Sequence, residues 1–297
     1  MSDSPTKIKL LARAKLNLSL DITGQRRDGY HLMDMVMRSV DLSDELTLRL
    51  AESGGISIAS NMRFLPRGEK NLAFRAAQSL CASVGMPLPS LHIDIKKNIP
   101  TQAGLGGGSA DAAAVLVGLN TLFSLGLSCD ELCAVGETIG ADVPFCVCGG
   151  TARVRGIGEL IEPIEDNCSY TVLILMPALG RSTHEAFARW NTDAIFNHPD
   201  VSGTVNALRT GDIAELGMLI CNAFSLLELD ETTERLKSAL LRAGAFGASM
   251  TGSGAAVFGL FPNNLSAKNA RSLLFDEASG SHLAHPCPEG VKIVSLE

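Results

Sequence analysis

The 297-residue chain carries 25 Lys and Arg against 32 Asp and Glu, a formal charge of −7, with 46% apolar and 19% charged residues. Such a composition can bury a core and argues against disordered, collagen-like and coiled-coil chains, while the length points to two domains because single cores stop growing at roughly 250 residues. Scattered basic residues with only 11 Phe, 2 Tyr and 1 Trp argue against a nucleic-acid partner, and the longest mostly apolar stretch, 112–127, is too short and too interrupted to span a bilayer. The start of the chain lacks the order of a secretory signal, so a soluble, cytoplasmic protein is expected, as a monomer or homodimer.

In chain order, Leu16, Leu18 and Leu20 alternate with Lys15, Asn17, Ser19 and Asp21, which predicts a strand over 14–21. A polar turn at 24–29 leads to two further strands, 33–40 and 46–50. Residues 71–84 are Ala-rich at helical spacing and end before Pro87 and Pro89. A strand follows at 91–96, then a loop over 98–108, then an apolar helix from Ser109 to Phe123. Another helix is expected over 130–139, capped by Ser128 or Asp130. Residues 143–148 and 152–154 suit a hairpin through Gly149 and Gly150.

Beyond 168 the expected order is a strand at 171–176, helices at 213–221 and 231–243, and a loop at 249–254 feeding a strand at 256–261. A helix and a final strand at 291–296 complete it. Strands and helices in mixed order indicate an α+β architecture. Of the eight cysteines, Cys129, Cys133, Cys146 and Cys148 admit a four-thiolate zinc reading, but without a C-x-x-C knuckle buried free thiols are the favoured one.

Glycine stands out, with 29 residues and clusters at 104–108, 149–150 and 252–254. A strand, a glycine loop and a helix in sequence can turn successive N–H groups toward a polyphosphate, or can form a tight loop with no ligand. Two familiar phosphate loops do not fit. Ser109 stands where the dinucleotide fingerprint needs glycine, and no Gly-Lys-Ser or Gly-Lys-Thr occurs. Protein-kinase triplets are absent as well.

Pro100 to Ala113 resembles the second motif of the GHMP kinases, a family that includes galactokinase, homoserine kinase and mevalonate kinase. Ala14-Lys-Leu-Asn-Leu18 resembles the first motif, and Ser249-Met-Thr-Gly-Ser-Gly-Ala255 the third, so the resemblance covers nearly the whole chain. Asp28-Gly-Tyr-His31 and Gly140-Ala-Asp-Val-Pro-Phe145 are similar to the branch whose substrate is a cytidine diphosphate derivative of methylerythritol. Thr101-Gln102-Ala103 and Ala110-Asp111 depart from the family pattern.

The resemblance implies a two-domain α+β fold with its active site in the interdomain cleft. An N-terminal ATP-binding domain, 1–167, would be like ribosomal protein S5 domain 2, and the C-terminal domain, 168–297, would be ferredoxin-like. It further implies ATP as co-substrate with Mg2+, and phosphoryl transfer to the 2-hydroxyl of the methylerythritol moiety. Alternatives are another small-molecule kinase of the family, of homoserine or mevalonate type, and a non-catalytic nucleotide-binding regulator.

Several residues gain candidate roles beside plainer readings. Asp142 is either an exposed turn residue or, by resemblance, the carboxylate that accepts or orients the substrate hydroxyl proton. Lys15 is either a surface lysine or the cation beside Asp142, with Asn17 on the same strand face hydrogen-bonding substrate. Tyr30 and His31 are core and surface residues or, by resemblance, the pair that holds a cytosine ring, with Phe187 on its other face and Thr183 nearby. Gly104, Leu105, Gly106, Gly107, Gly108 and Ser109 would wrap the ATP phosphates, and the Ser109 hydroxyl would reach phosphate or Mg2+. Asn71 and Leu72 would lie near adenine, with Lys96 or Lys97 beside them, although Asn71 reads equally as a helix N-cap. Gly252, Ser253 and Gly254 would shape the acceptor side and help hold its diphosphate.

Overall fold

The computed structural model describes residues 5–178, 198–227 and 230–297. Two long strands organise the first half: β1 (Lys7–Gln25) and β2 (His31–Leu50) run antiparallel along nearly their whole length. The two strands expected within 33–50 are one. They read as two because the halves of β2 have different outer neighbours. Its second half pairs with β4 (Leu91–Lys96), which carries β3 (Ile56–Ser60) in parallel, and its first half pairs with β5 (Thr151–Gly156), which carries β6 (Leu160–Pro163).

Helix α1 (Leu72–Ser83) starts on the Asn71 cap, and α2 (Gly107–Leu122) packs beside it on the sheet. Because α2 is apolar around its whole circumference, it belongs in the interior, where Ala112 to Leu116 are fully buried. Gly118 permits the approach, since a Cβ there would stand 2.5 Å from Leu48 Cδ1 and 3.2 Å from Leu10 Cδ1. Helix α2 begins two residues before the expected Ser109, so Gly107 and Gly108 are its first turn and not loop.

Helix α3 (Cys129–Glu137) is capped by Ser128, whose side chain and that of Glu131 satisfy each other's backbone N–H. The expected hairpin strand at 143–148 is instead a short helix, α4 (Val143–Cys148). Pro144 suits a first helical turn, and an apolar run buried on all sides carries no period from which to tell strand from helix. Gly149, at φ +70°, ends it against the backbone of Gly290.

Past residue 168 the chain builds a second sheet. Strands β7 (Thr171–Met176), β9 (Gly247–Met250), β10 (Val257–Phe261) and β11 (Gly280–Ala284) lie antiparallel in the order β11-β7-β10-β9, the ferredoxin-like arrangement. Helices Glu231–Arg242 and Asn264–Leu273 cover one face through Leu236, Leu240 and Ala267, which meet Leu173, Leu175 and Phe261. The alternate residues Val172, Ile174, Phe258 and Leu260 join the main core with Leu16 and Leu48. Two segments beyond 168 return to the first sheet: β8 (Cys221–Asn222), parallel to β1, and β12 (Val291–Leu296), antiparallel to it.

This packing leads to a stability test. Gly118→Val should lower unfolding free energy by about 1–3 kcal/mol through overpacking against Leu48 and Leu10. Urea denaturation of both proteins measures it, and an unchanged midpoint would mean that α2 can move off the sheet without cost.

Candidate active site

Four elements meet at one cleft of about 490 Å3: the middle of β1, the N-terminus of α2, the 251–254 loop between β9 and β10, and the start of α4. Its size is that of a small-molecule site. Lys15, only 4% exposed, faces this cleft from β1 and is no surface lysine. Its Nζ lies 3.3 Å from Asp142 Oδ2 and donates a 2.8 Å hydrogen bond to Asn17 Oδ1. Asp142 stands just before α4 and lines the cleft, so the turn expected there leads directly into a short helix.

Asn17 is fully buried, and its carboxamide is engaged within the protein. Oδ1 also accepts the Gly252 N–H at 2.9 Å, and Nδ2 donates to Met35 Sδ at 3.4 Å. The residue positions Lys15 and the 251–254 loop and itself lines the cleft. Thr251 extends the link, accepting the Asn17 N–H at 3.1 Å and donating to Gly104 O at 3.2 Å. Asn222 Nδ2 braces the loop from behind through Met250 O and Gly252 O, each at 2.8 Å. The Gly252 N–H is taken by Asn17 Oδ1, and Gly252 and Ser253 both line the cleft.

At Gly104, φ is +75° and a Cβ would fall 2.0 Å from Thr251 O, so a side chain is excluded twice over. Gly106 forms the N-cap of α2 without a side-chain hydrogen bond, and a Cβ there would press Lys15 Cγ at 2.8 Å. The first intrahelical bond runs from Ala110 N to Gly106 O, so the N–H groups of Gly107, Gly108 and Ser109 have no acceptor within the helix. All three residues line the cleft. Together with the positive end of a 16-residue helix they give the cleft a terminus of the kind suited to an anion.

Asn71 and Leu72 also line the cleft, Asn71 as a true N-cap: its Oδ1 accepts the Ala73 N–H at 2.9 Å and its Nδ2 donates to Pro66 O at 2.7 Å. Lys96 does not belong to the site. It is exposed, pairs with Glu45 at 2.8 Å, and lies on the outer face of β4. Lys97 takes its place, buried, with Nζ donating to Asp111 Oδ2 at 2.7 Å and to Asp44 Oδ2. Continuing the alternation of Leu91, Ile93 and Ile95 by one step reaches Lys97, and that signal favoured it. Asp111, inside an alanine-rich helix, was noted only as a departure from the family pattern. It lines the cleft, and its Oδ1 is buried without a hydrogen-bond partner.

Tyr30 is 61% exposed at the β1–β2 turn and lines a second recess with Arg75 and Thr138. This recess shares Ala141 and Ile157 with the main cleft. His31 opens β2, half-buried, and burial lowers its pKa. Thr183 and Phe187 lie outside the described residues.

Residues 71–150 match the GHMP kinases N terminal domain and residues 204–277 match the GHMP kinases C terminal domain. A 4-diphosphocytidyl-2-C-methyl-D-erythritol kinase of Alkaliphilus oremlandii is 39% identical, over 89% of this chain and 91% of its own length. The chain belongs to the GHMP kinase family. Another such kinase, from Pelotomaculum thermopropionicum, is 42% identical to this GHMP kinase over 85% of the chain and 88% of its own length. Among solved structures, a 4-(cytidine 5'-diphospho)-2C-methyl-D-erythritol kinase gives a TM-score of 0.79 at 29% identity, covering 94% of this chain and 99% of that one. The L. major mevalonate kinase in complex with R-mevalonate gives 0.76 at 19% identity, covering 97% and 98%, a likeness of fold alone.

Asp111 makes stability depend on pH. Burial pushes its carboxyl up from 3.8 to about 8, with Lys97 pulling it down and Asp44 adding to the rise. Between those values the folded state holds the proton more tightly than the unfolded state, so this group's contribution falls as pH rises. Asp111→Asn should therefore unfold with a flatter dependence of midpoint on pH than wild type. Thermal unfolding from about pH 4 to about pH 9 compares the two slopes; coincident slopes would show that Asp111 stays ionised in the folded protein.

Proposed function

We propose that this GHMP kinase transfers the γ-phosphoryl group of ATP to the 2-hydroxyl of 4-diphosphocytidyl-2-C-methyl-D-erythritol, in the non-mevalonate route to isoprenoids. The observation that carries the chemistry is the Lys15–Asp142 pair at 3.3 Å, in one cleft with the unpaired N–H groups of α2. Identities of 37–42% to kinases of that name support the choice of substrate.

Each part of the cleft has a task in such a transfer. Backbone N–H groups of Gly107, Gly108 and Ser109 bind phosphate oxygens at the positive helix end, without needing a basic surface on an acidic chain. Asp142 accepts or orients the proton of the attacking hydroxyl. Lys15, 3.3 Å from that carboxylate, offers positive potential to the forming alkoxide, and Asn17 holds Lys15 in place.

Magnesium fits the donors present, since Asp111 carries an unpartnered buried oxygen and Ser109 a hydroxyl in the same cleft. Those two residues would hold the ion. When bound, such an ion would supply positive charge to offset that of the transferring phosphoryl group. The Tyr30 recess, continuous with the cleft through Ala141 and Ile157, suits the cytosine end of the acceptor, with His31 next to Tyr30 in the chain. The corresponding cellular reading is a soluble cytoplasmic enzyme of small molecules; among the described residues no helix is long and apolar enough to cross a membrane.

Two measurements test this. In an ADP-release assay the diphosphocytidyl substrate should support turnover where mevalonate, homoserine and galactose do not; release with one of those alone would reject the substrate. Asp142→Asn should lower kcat on the order of 10²-fold or more with ATP affinity little changed. Near-normal turnover in that variant would remove Asp142 from the mechanism.

A further inference from the structure

Away from the cleft, three thiols converge where the start of α3 meets the end of α4. Cys129 is the first residue of α3, Cys133 lies one turn further along the same helix face, and Cys148 is the last residue of α4. Cys148 Sγ stands 3.2 Å from Cys129 Sγ and 3.3 Å from Cys133 Sγ, and all three sulfurs lie within 4.8 Å of one another. Cys146, by contrast, is buried and outside the group, so four thiols suggested by spacing become three in space.

We propose that Cys129, Cys133 and Cys148 form a three-thiolate site for a thiophilic d10 cation of the zinc class, with solvent as the fourth ligand. Zinc–sulfur bonds of about 2.3 Å at tetrahedral angles separate sulfurs by about 3.8 Å, so Cys148 needs to part from each of its two neighbours by only about half an ångström. Cys129 is exposed and the other two are partly so, which leaves the ion a path from solvent and a position for water. Thiolate donors also prefer zinc to magnesium, so the site does not compete with the cleft for its cation.

Binding exchanges three S–H bonds for three metal–sulfur bonds, releases three protons to solvent and changes no oxidation state. The bound ion staples α3 to α4, the helix whose other end begins beside Asp142.

Cobalt titration of the reduced full-length chain under anaerobic conditions is the test. One equivalent of Co2+ should bring up sulfur-to-cobalt charge-transfer absorption with tetrahedral d–d bands, and Zn2+ should displace it. Free Zn2+ at roughly 100-fold excess over its Kd should raise the unfolding midpoint by about 5 °C. Cys148→Ser should lose the bands and the shift. Cys129→Ser, at an exposed position, should do the same while keeping wild-type kinase turnover, and it serves if Cys148→Ser fails to fold. Absence of the charge-transfer bands in wild type, a Zn2+ shift unchanged in Cys129→Ser, or a disulfide at Cys148 in place of metal uptake would each overturn the site.

Discussion

The carboxamide oxygen of Asn17 is the point on which the cleft depends. It accepts from the Lys15 ammonium and from the Gly252 N–H, and so ties the first motif to the third; Thr251 carries the link on to Gly104 in the second. Side-chain bonds thereby join segments more than two hundred residues apart, and the backbone at Gly104 packs directly on that of Thr251. A fully buried amide can serve in this way only if every polar atom near it finds a partner, and here both ends of the side chain do. The missing side chain at Gly104 then becomes a steric requirement, because a Cβ would enter the Thr251 carbonyl.

Electrostatics in the cleft come from arrangement and not from net charge. The chain is acidic overall, yet the cleft collects a helix N-terminus, Lys15 and Lys97. Lys97 sits between Asp44 and Asp111, and Asp44 also accepts the backbone N–H groups of Asn98 at 2.6 Å and Ile99 at 2.8 Å. That leaves Asp111 the less satisfied of the two carboxyls, buried with one oxygen orphaned, and burial favours its neutral form. A buried carboxyl with an unpartnered oxygen costs the folded protein stability, because the desolvation of that oxygen is not offset by a hydrogen bond.

Much of the architecture was legible from pattern alone. The alternation in β1 and β4, the capped helices at 72–83 and 129–137, and the order of strand, glycine loop and helix needed nothing beyond local chemistry. Misreadings occurred where burial erased the pattern. Residues 143–147 are apolar and covered on every side, so neither period was visible and a helix passed for a strand. Strand β2 looked like two strands because its halves face different neighbours. Lys96 and Lys97 are adjacent in sequence and opposite in space, and one step of strand alternation separates a solvent salt bridge from a buried site residue.

By itself the sequence determined the family, the reaction class and the three segments that make the site, because those rest on residue type and spacing along the chain. Tertiary structure decided which groups on those segments are free to act. Asn17 turned out to be committed to Lys15, Asn71 to its helix and the Gly252 N–H to Asn17, while Lys97 and Asp111 emerged in the cleft and three cysteines from two helices came together. Hydrogen-bond saturation and proximity between distant segments are properties of packing, and a linear pattern carries neither.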